Sequence, residues 1–263
     1  MSFMGLIGCG NLGSAMIERW LANGADPSLI KVVDNHPERI ERFKLKPYTI
    51  EELSGLDVLV LAVKPWNVLE ALTKVKIDPE TIVVTMAAGI SLSKLEKVLP
   101  QGQPVCRVMP NIGVKLGKGV LAVAFNKHVK SSHKPAVKEI LEPLGKTIEL
   151  KEKDFNAVTA LAGSGPGFIS LILESLMMGG IAGGLSSDVS KELVLQTVSG
   201  TLELIKSGIN FDDLRFLVSS PAGTTVAGLE VLESAGVRGA IIESIKVASQ
   251  RASELGLESG GVD

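Results

Sequence analysis

Residues 3–16 constrain this chain more than any other stretch. A short apolar run, Phe3 to Ile7, reads as a buried strand and leads into Gly8-x-Gly10-x-x-Gly13. A helical pattern follows that puts Ala15, Met16, Trp20 and Leu21 on one face. In this strand–turn–helix order the first glycine closes a tight turn, the second lets a pyrophosphate approach the backbone, and the third lets helix pack on strand. Backbone N–H groups at the helix start face the anion, which makes Gly8, Cys9, Gly10, Asn11, Leu12 and Gly13 candidate dinucleotide ligands. The spacing alone also occurs in plain tight turns; its place between strand and helix is what points to a cofactor.

Strand and helix patterns alternate from there to about residue 150. Ile30–Asp34, the continuous apolar run Asp57–Val63, Thr81–Met86, Val105–Met109, Val120–Phe125 and Thr147–Leu150 read as strands. Runs apolar on both faces are those of a parallel sheet covered on both sides. A helix is expected near Pro37 with Glu38, Arg39, Ile40 and Phe43, another after Lys64-Pro65, and another opened by Ser91. After Lys153 the strands stop, and helices are expected over 154–183, 187–207, 211–218, 224–234 and 237–255. The fold class is therefore α/β: a Rossmann-like doubly wound domain over 1–152, then an all-helical domain over 153–263. The first of these helices is apolar nearly all round and must be buried from every side. In a domain this small that predicts a partner subunit. The tail 258–263 reads as frayed.

Hydrophobic residues make up 45% of the 263, enough for a substantial core. A net charge of −2 gives no footing for nucleic acid or an anionic membrane. Phe168–Leu185 approaches the length of a membrane span, but Glu174 and repeated glycines favour a buried helix. The start lacks the basic flank of a signal peptide. Cys9 and Cys106 form no CxxC pair, so both read as buried small residues in a reducing cytoplasm, and no metal site is expected.

Asp34 lies 21 positions beyond Gly13 (34 − 13), at the end of the second strand. An acid there commonly bonds the ribose 2′-OH and repels a 2′-phosphate, which leans the cofactor toward NADH over NADPH. The counter-reading is that Asn35, His36 and Arg39 rebuild a phosphate pocket. Ala62, Val63 and Lys64 end a central strand where open α/β sheets bind ligands, although Lys64 also reads as a solvated loop residue. Ala87-Ala88-Gly89 and Met109-Pro110-Asn111 follow strand ends as well, and offer Ala88 and Asn111 to a nicotinamide. Ser219-Ser220-Pro221-Ala222-Gly223-Thr224-Thr225 starts a helix far from any strand; it is either an anion site or an ordinary N-cap. Gly163-Ser164-Gly165-Pro166 breaks a helical ladder, for a ligand or for a close helix crossing. The histidines His36, His128 and His133 read as surface residues without carboxylate partners.

In this order, these stretches resemble the pyrroline-5-carboxylate reductase family. The likeness covers 8–16, Leu61-Ala62-Val63-Lys64-Pro65, Ala87–Ser91, Arg107-Val108-Met109-Pro110-Asn111, Ala157–Pro166, Gln196-Thr197-Val198, Ser220-Pro221-x-Gly223-Thr224-Thr225 and Arg251-x-x-Glu254-Leu255-Gly256. The resemblance implies a helical dimerisation domain, a homodimer that can build a larger ring, and reduction of Δ1-pyrroline-5-carboxylate to L-proline with NADH or NADPH. It further implies a site at the dimer interface. There Ser220, Gly223, Thr224 and Thr225 bind the substrate carboxylate, and Thr225 stands near the ring nitrogen as the catalytic residue. Where the family commonly has Ser-Pro-Gly-Gly this chain has Ser220-Pro221-Ala222-Gly223, and Asp34-Asn35 replaces the common Asn-Arg. Reduction of another small imino acid and a non-catalytic cofactor-binding paralogue are the alternatives. A hydroxyacid dehydrogenase needs a lysine that Phe155–Leu185 lacks.

Overall fold

The computed structural model describes residues 2–258. They divide into two compact units, residues 2–164 with 248–258, and Gly165–Val247.

The first unit is built on a seven-stranded sheet of order β2-β1-β3-β4-β5-β6-β7. Its strands are β1 (Met4–Ile7), β2 (Ile30–Val33), β3 (Val58–Leu61), β4 (Ile82–Thr85), β5 (Val105–Pro110), β6 (Gly119–Phe125) and β7 (Gly145–Glu149). The first five are mutually parallel. β6 runs antiparallel to β5, and β7 parallel to β6. The reversal has a local cause. Only a 3₁₀ segment, Ile112–Leu116, links β5 to β6, too short for the crossover a parallel neighbour needs.

Successive residues of the strands feed opposite layers, as the pleat demands. Val58, Val60, Ile82 and Val84 pack with α1 (Asn11–Ala22) and α5 (Lys134–Leu141). Leu59, Leu61 and Val83 pack with α3 (Pro65–Lys74) and α4 (Leu92–Val98). Ser91 caps α4 as expected, its hydroxyl accepting from the Lys94 N–H at 3.2 Å. The helix after Pro37 shrinks to one turn, α2 (Glu38–Glu41), because Lys44 takes a left-handed φ of 59° and turns the chain away. The histidine expectation fails at two of the three: His36, though exposed, has its Nδ1 3.3 Å from a Glu38 carboxylate oxygen, and His133 is buried. Its Nδ1 accepts from the Lys130 N–H at 3.0 Å, and its Nε2 lies 3.4 Å from a Glu80 carboxylate oxygen.

α6 (Phe155–Val158) runs into a π-helical turn, Thr159–Gly163, with Ser164 as its C-terminal cap, just where the glycines were expected to break the ladder. The second unit holds α7 (Gly165–Ala182), α8 (Ser187–Lys206), α9 (Phe211–Leu217), α10 (Thr224–Ser234) and residues 237–247 of α11 (Val237–Glu258). These bounds match the sequence pattern within a few residues. The expected fraying over 258–263 falls, from 259 on, outside the described residues. α7 and α8 cross closely at Gly180, where an added Cβ would stand 2.8 Å from the Ser190 Oγ. Among the described residues of this unit only Gly165 and Ser190 are buried. The apolar side chains of α7 are therefore bare in a single protomer, which leaves their burial to a partner subunit, as the sequence pattern predicts. The run Glu152–Ala182 is long and apolar enough to cross a membrane by length and composition, with 6% of its most apolar window buried.

Trp20 fixes α1, and with it the glycine loop, by donating its indole N–H to the Ile140 carbonyl of α5 at 2.8 Å. Trp20→Phe keeps most of the ring but leaves that buried carbonyl without a donor. Urea denaturation should show about 1–3 kcal/mol lost.

Candidate active site

Strand register sets the site. Ile7 pairs with Val33 and Leu61, and Leu61 with Thr85, so four strands end in one row. The residues just beyond that row are Gly8, Asp34, Ala62 and Met86, and the chain crosses there on short backbone bonds. The Gly8 N–H donates to Val33 O at 2.8 Å, Ala62 N–H to Ile7 O at 2.9 Å, and Met86 N–H to Leu61 O at 3.0 Å. A cleft of about 1100 Å³ opens along this edge.

Each fingerprint glycine has its own reason. Gly8 has a φ of 104°, a left-handed region closed to most side chains, and a Cβ there would also press on Ala62 and Val63. A Cβ on Gly13 would overlap the Gly8 carbonyl oxygen. Gly10 is different, with an ordinary φ of −74° and no protein atom within 4 Å of an added Cβ. Neither conformation nor packing calls for glycine at that position, so the space is left for something outside the chain. α1 begins beside it with no side-chain cap and no acid in its first turn. These are the features of an anion-binding helix start, and the residues fit the pyrophosphate of a dinucleotide.

Of the residues singled out from sequence, Gly8, Cys9, Gly10, Asn11, Leu12, Asp34, Asn35, Ala62, Val63, Lys64 and Ala88 all line the cleft. Gly13 lies behind it as a packing residue. Asn111 does not line it. Its Oδ1 accepts from the N–H groups of Gly113 (3.2 Å) and Val120 (3.1 Å), which holds the 3₁₀ link against β6. The cleft also takes in Arg39, Arg42, Asn67, Glu70 and Lys74. Arg42 was not singled out, although its spacing of three from Arg39 on a helical run was the available signal.

Asp34 does more inside the protein than expected. Its Oδ2 accepts from the Cys9 N–H at 2.6 Å and its Oδ1 from the His36 N–H at 2.9 Å. Cys9 is buried against it, its thiol near the Ser14 hydroxyl (3.5 Å). Burial chiefly, with the Asp34 charge adding, raises the Cys9 thiol above its ordinary pKa. Burial also drives the Cys106 thiol strongly upward. Both cysteines are free, as expected.

Ser220, Gly223, Thr224 and Thr225 belong to the second unit. α10 opens at Thr224 after an extended Gly223 (φ −81°, ψ 168°), again with no side-chain cap and no acid in the first turn. A turn precedes it, closed by the Gly223 N–H on the Ser220 carbonyl at 2.9 Å. Ala222 sits in that turn at a φ of 54°, a conformation that explains why glycine suits the position. A Cβ on Gly223 would run into the Ser220 hydroxyl.

Comparison with known proteins gives this arrangement a family. Residues 152–255 match the family model for pyrroline-5-carboxylate reductase dimerisation. Residues 4–89 match the model described as NADP oxidoreductase, coenzyme F420-dependent. The pyrroline-5-carboxylate reductase of Corynebacterium melassecola is 34% identical, over 97% of this chain and 99% of its own. The chain belongs to the pyrroline-5-carboxylate reductase family. The Synechocystis reductase is 36% identical over 96% of this chain and 98% of its own. Among solved structures, the pyrroline-5-carboxylate reductase of Coxiella burnetii superposes with a TM-score of 0.90 at 29% identity, covering 97% of this chain and 98% of that one. The Plasmodium falciparum enzyme, solved with NADP bound, gives a TM-score of 0.86 at 29% identity, over 97% and 98%. The bare apolar helices of the second unit thus lie in the family's dimerisation domain. Its match begins at 152, next to the boundary read from sequence, whereas the compact units divide at Ser164.

Two outcomes check this site. Gly13→Ala forces the loop off the Gly8 carbonyl, so calorimetry should find dinucleotide binding lost and thermal unfolding about 1–3 kcal/mol of stability lost. Cys9 and Cys106 should stay unmodified when the native protein is treated with a thiol-alkylating reagent at neutral pH, and react once it is unfolded.

Proposed function

We propose that this chain reduces Δ1-pyrroline-5-carboxylate to L-proline with NADH or NADPH. One observation carries the reading: α10 starts uncapped at Gly223-Thr224-Thr225 in a chain that already has a dinucleotide cleft of its family. The backbone N–H groups of Thr224 and Thr225 hold the substrate carboxylate, aided by the Ser220 hydroxyl and the positive end of the helix. The cleft residues Gly8 to Gly13, Ala62 to Lys64 and Ala88 hold the dinucleotide, with Asp34 and Asn35 at its ribose end. Asn111, which braces the 3₁₀ link, acts on the nicotinamide side through that link.

The chemistry asks little of the protein's acids and bases. A cyclic imine protonates in water, and the iminium carbon is already electrophilic. The bound dinucleotide supplies a hydride to that carbon. What the chain adds is placement, which can account for much of a barrier reduction, and a proton relay at nitrogen through the Thr225 hydroxyl. No carboxylate pair or histidine is needed, in keeping with a helix start whose first turn holds no acid.

The assembly that accompanies this reading is a homodimer, joined into a larger ring of dimers, formed through the helical domain from about residue 153. A protomer whose second unit buries only Gly165 and Ser190 has no core of its own there. The enzyme works in the cytoplasm, where its two free buried cysteines need no oxidant.

The test is to mix purified protein with Δ1-pyrroline-5-carboxylate and either nicotinamide cofactor, and to follow cofactor oxidation and proline formation. Turnover with matching stoichiometry is expected; oxidation of neither cofactor would defeat the proposal. Thr225→Ala should lower kcat/KM by about 10²–10⁴-fold while cofactor binding holds. Gly223→Asp, which sets a second carboxylate against the first, should raise KM for the imine and leave cofactor affinity alone.

A further inference from the structure

The loop between β4 and α4 brings Ala87 and Ala88 to the cleft. Its near end is fixed by Thr85, whose hydroxyl accepts from the Ala87 N–H at 3.3 Å. Gly89 then turns the chain at a φ of 76°, and Ile90 sinks back into the core. The far end is fixed from outside the loop. α4 has no acid of its own in its first turn. The Leu92 N–H donates instead to Glu152 Oε1 at 2.7 Å, across 60 positions of sequence. A carboxylate at a helix start satisfies an orphan N–H and meets the positive end of the dipole.

Glu152 is itself held. The same Oε1 accepts from Arg107 Nη1 at 2.8 Å, and the Arg107 guanidinium lies 4.7 Å from the centre of the Phe155 ring. Arg107 stands on β5 in register with Thr85, so the two fixed ends of the loop are braced side by side. The pair is shielded, its side chains 12% and 30% exposed, unlike the solvated pairs that contribute little. Phe155 packs in one layer with Ala87, Ile90, Leu92 and Leu95. Without Glu152 a helix N–H loses its acceptor and a mostly buried guanidinium loses its carboxylate. Two residues on, Lys94 Nζ donates to the Gly256 carbonyl near the end of α11 at 3.1 Å. The segments by which the chain leaves this unit and returns to it both bond the first turn of α4.

We propose that Glu152, kept in place by Arg107, is a positioning residue for the nicotinamide end of the cleft. Through the first turn of α4 it sets where Ala88 stands against the ring. The ribose end, at Asp34, lies three strands away along the sheet, so the effect is confined to one end of the dinucleotide. This rests on the dinucleotide reading of the cleft given above.

Two ligands test it on the intact protein: the reduced cofactor, followed by its nicotinamide fluorescence, and the matching ADP-ribose or its 2′-phosphate, which lack the ring, followed by calorimetry. Glu152→Ala should bind the ringless ligand as the wild type does. It should bind the reduced cofactor about threefold to tenfold more weakly, with altered emission from the bound ring. Its kcat for Δ1-pyrroline-5-carboxylate should fall by about tenfold to a hundredfold. Arg107→Met, which keeps the packing on Phe155, should show the same split to a smaller degree. Wild-type emission and kcat in Glu152→Ala would overturn the proposal, as would both ligands weakened by the same factor, the mark of a merely structural role. If the alanine protein does not fold, Glu152→Gln takes its place: it keeps an acceptor for Leu92 and gives up the charge. The same split is expected there, and wild-type emission and kcat would again overturn the proposal. The binding and emission arms need no imine, so they hold whatever the substrate. A wild type that binds neither ligand would instead defeat the dinucleotide reading.

Discussion

The contact between Gly13 and the Gly8 carbonyl is the constraint on which the rest depends. It lets α1 begin directly against the end of β1, with no room for even a methyl group between them. Because β1 is flanked by β2 and β3 in matched register, fixing that one helix start also fixes which residues share the edge. Asp34 then reaches back to bond the loop, and Ala62 bonds the end of β1. Trp20 ties the far end of the same helix to α5. The anion site is thus the place where a helix is forced to start, and its backbone donors come with the packing.

The helical half obeys the opposite logic. Its α7 is nearly uniformly apolar, yet one protomer covers almost none of it. Hydrophobic burial is the dominant favourable term in folding, and a unit without buried apolar side chains lacks that term until a second chain supplies it. Its match to a family dimerisation model accounts for the bare surface. It also explains why a sequence that passes a composition test for a membrane span belongs to a family of reductases.

Much of this was legible beforehand, for identifiable reasons. The strands were readable because both faces of the sheet are covered, so Val58–Leu61 and Ile82–Thr85 are apolar without interruption. The helices after residue 165 were readable because period and caps agree, as at Ser186, whose hydroxyl accepts from the Val189 N–H. What escaped was decided by tertiary contacts. The direction of β6 depends on the length of one link, and His133 is buried with Glu80, from elsewhere in the chain, 3.4 Å from its Nε2. The end of α2 depends on a left-handed lysine. At the site, sequence placed Asp34 correctly but not the turn of its carboxylate, because a period and a spacing carry no information about which N–H a side chain will find. Arg42 was missed because the polar residues weighed for the cleft stopped at Arg39, three positions before it.

In the proposed reaction two helix starts serve one turnover, α1 for the dinucleotide and α10 for the carboxylate. Hydrogen exchange of the backbone amides tests it most directly, read with the dinucleotide alone and with L-proline alone. The dinucleotide should slow exchange at residues 9–14 and 62–64, and proline should slow it at 224–226. Protection by proline confined to other segments, or a dinucleotide that leaves 9–14 unchanged, would contradict it.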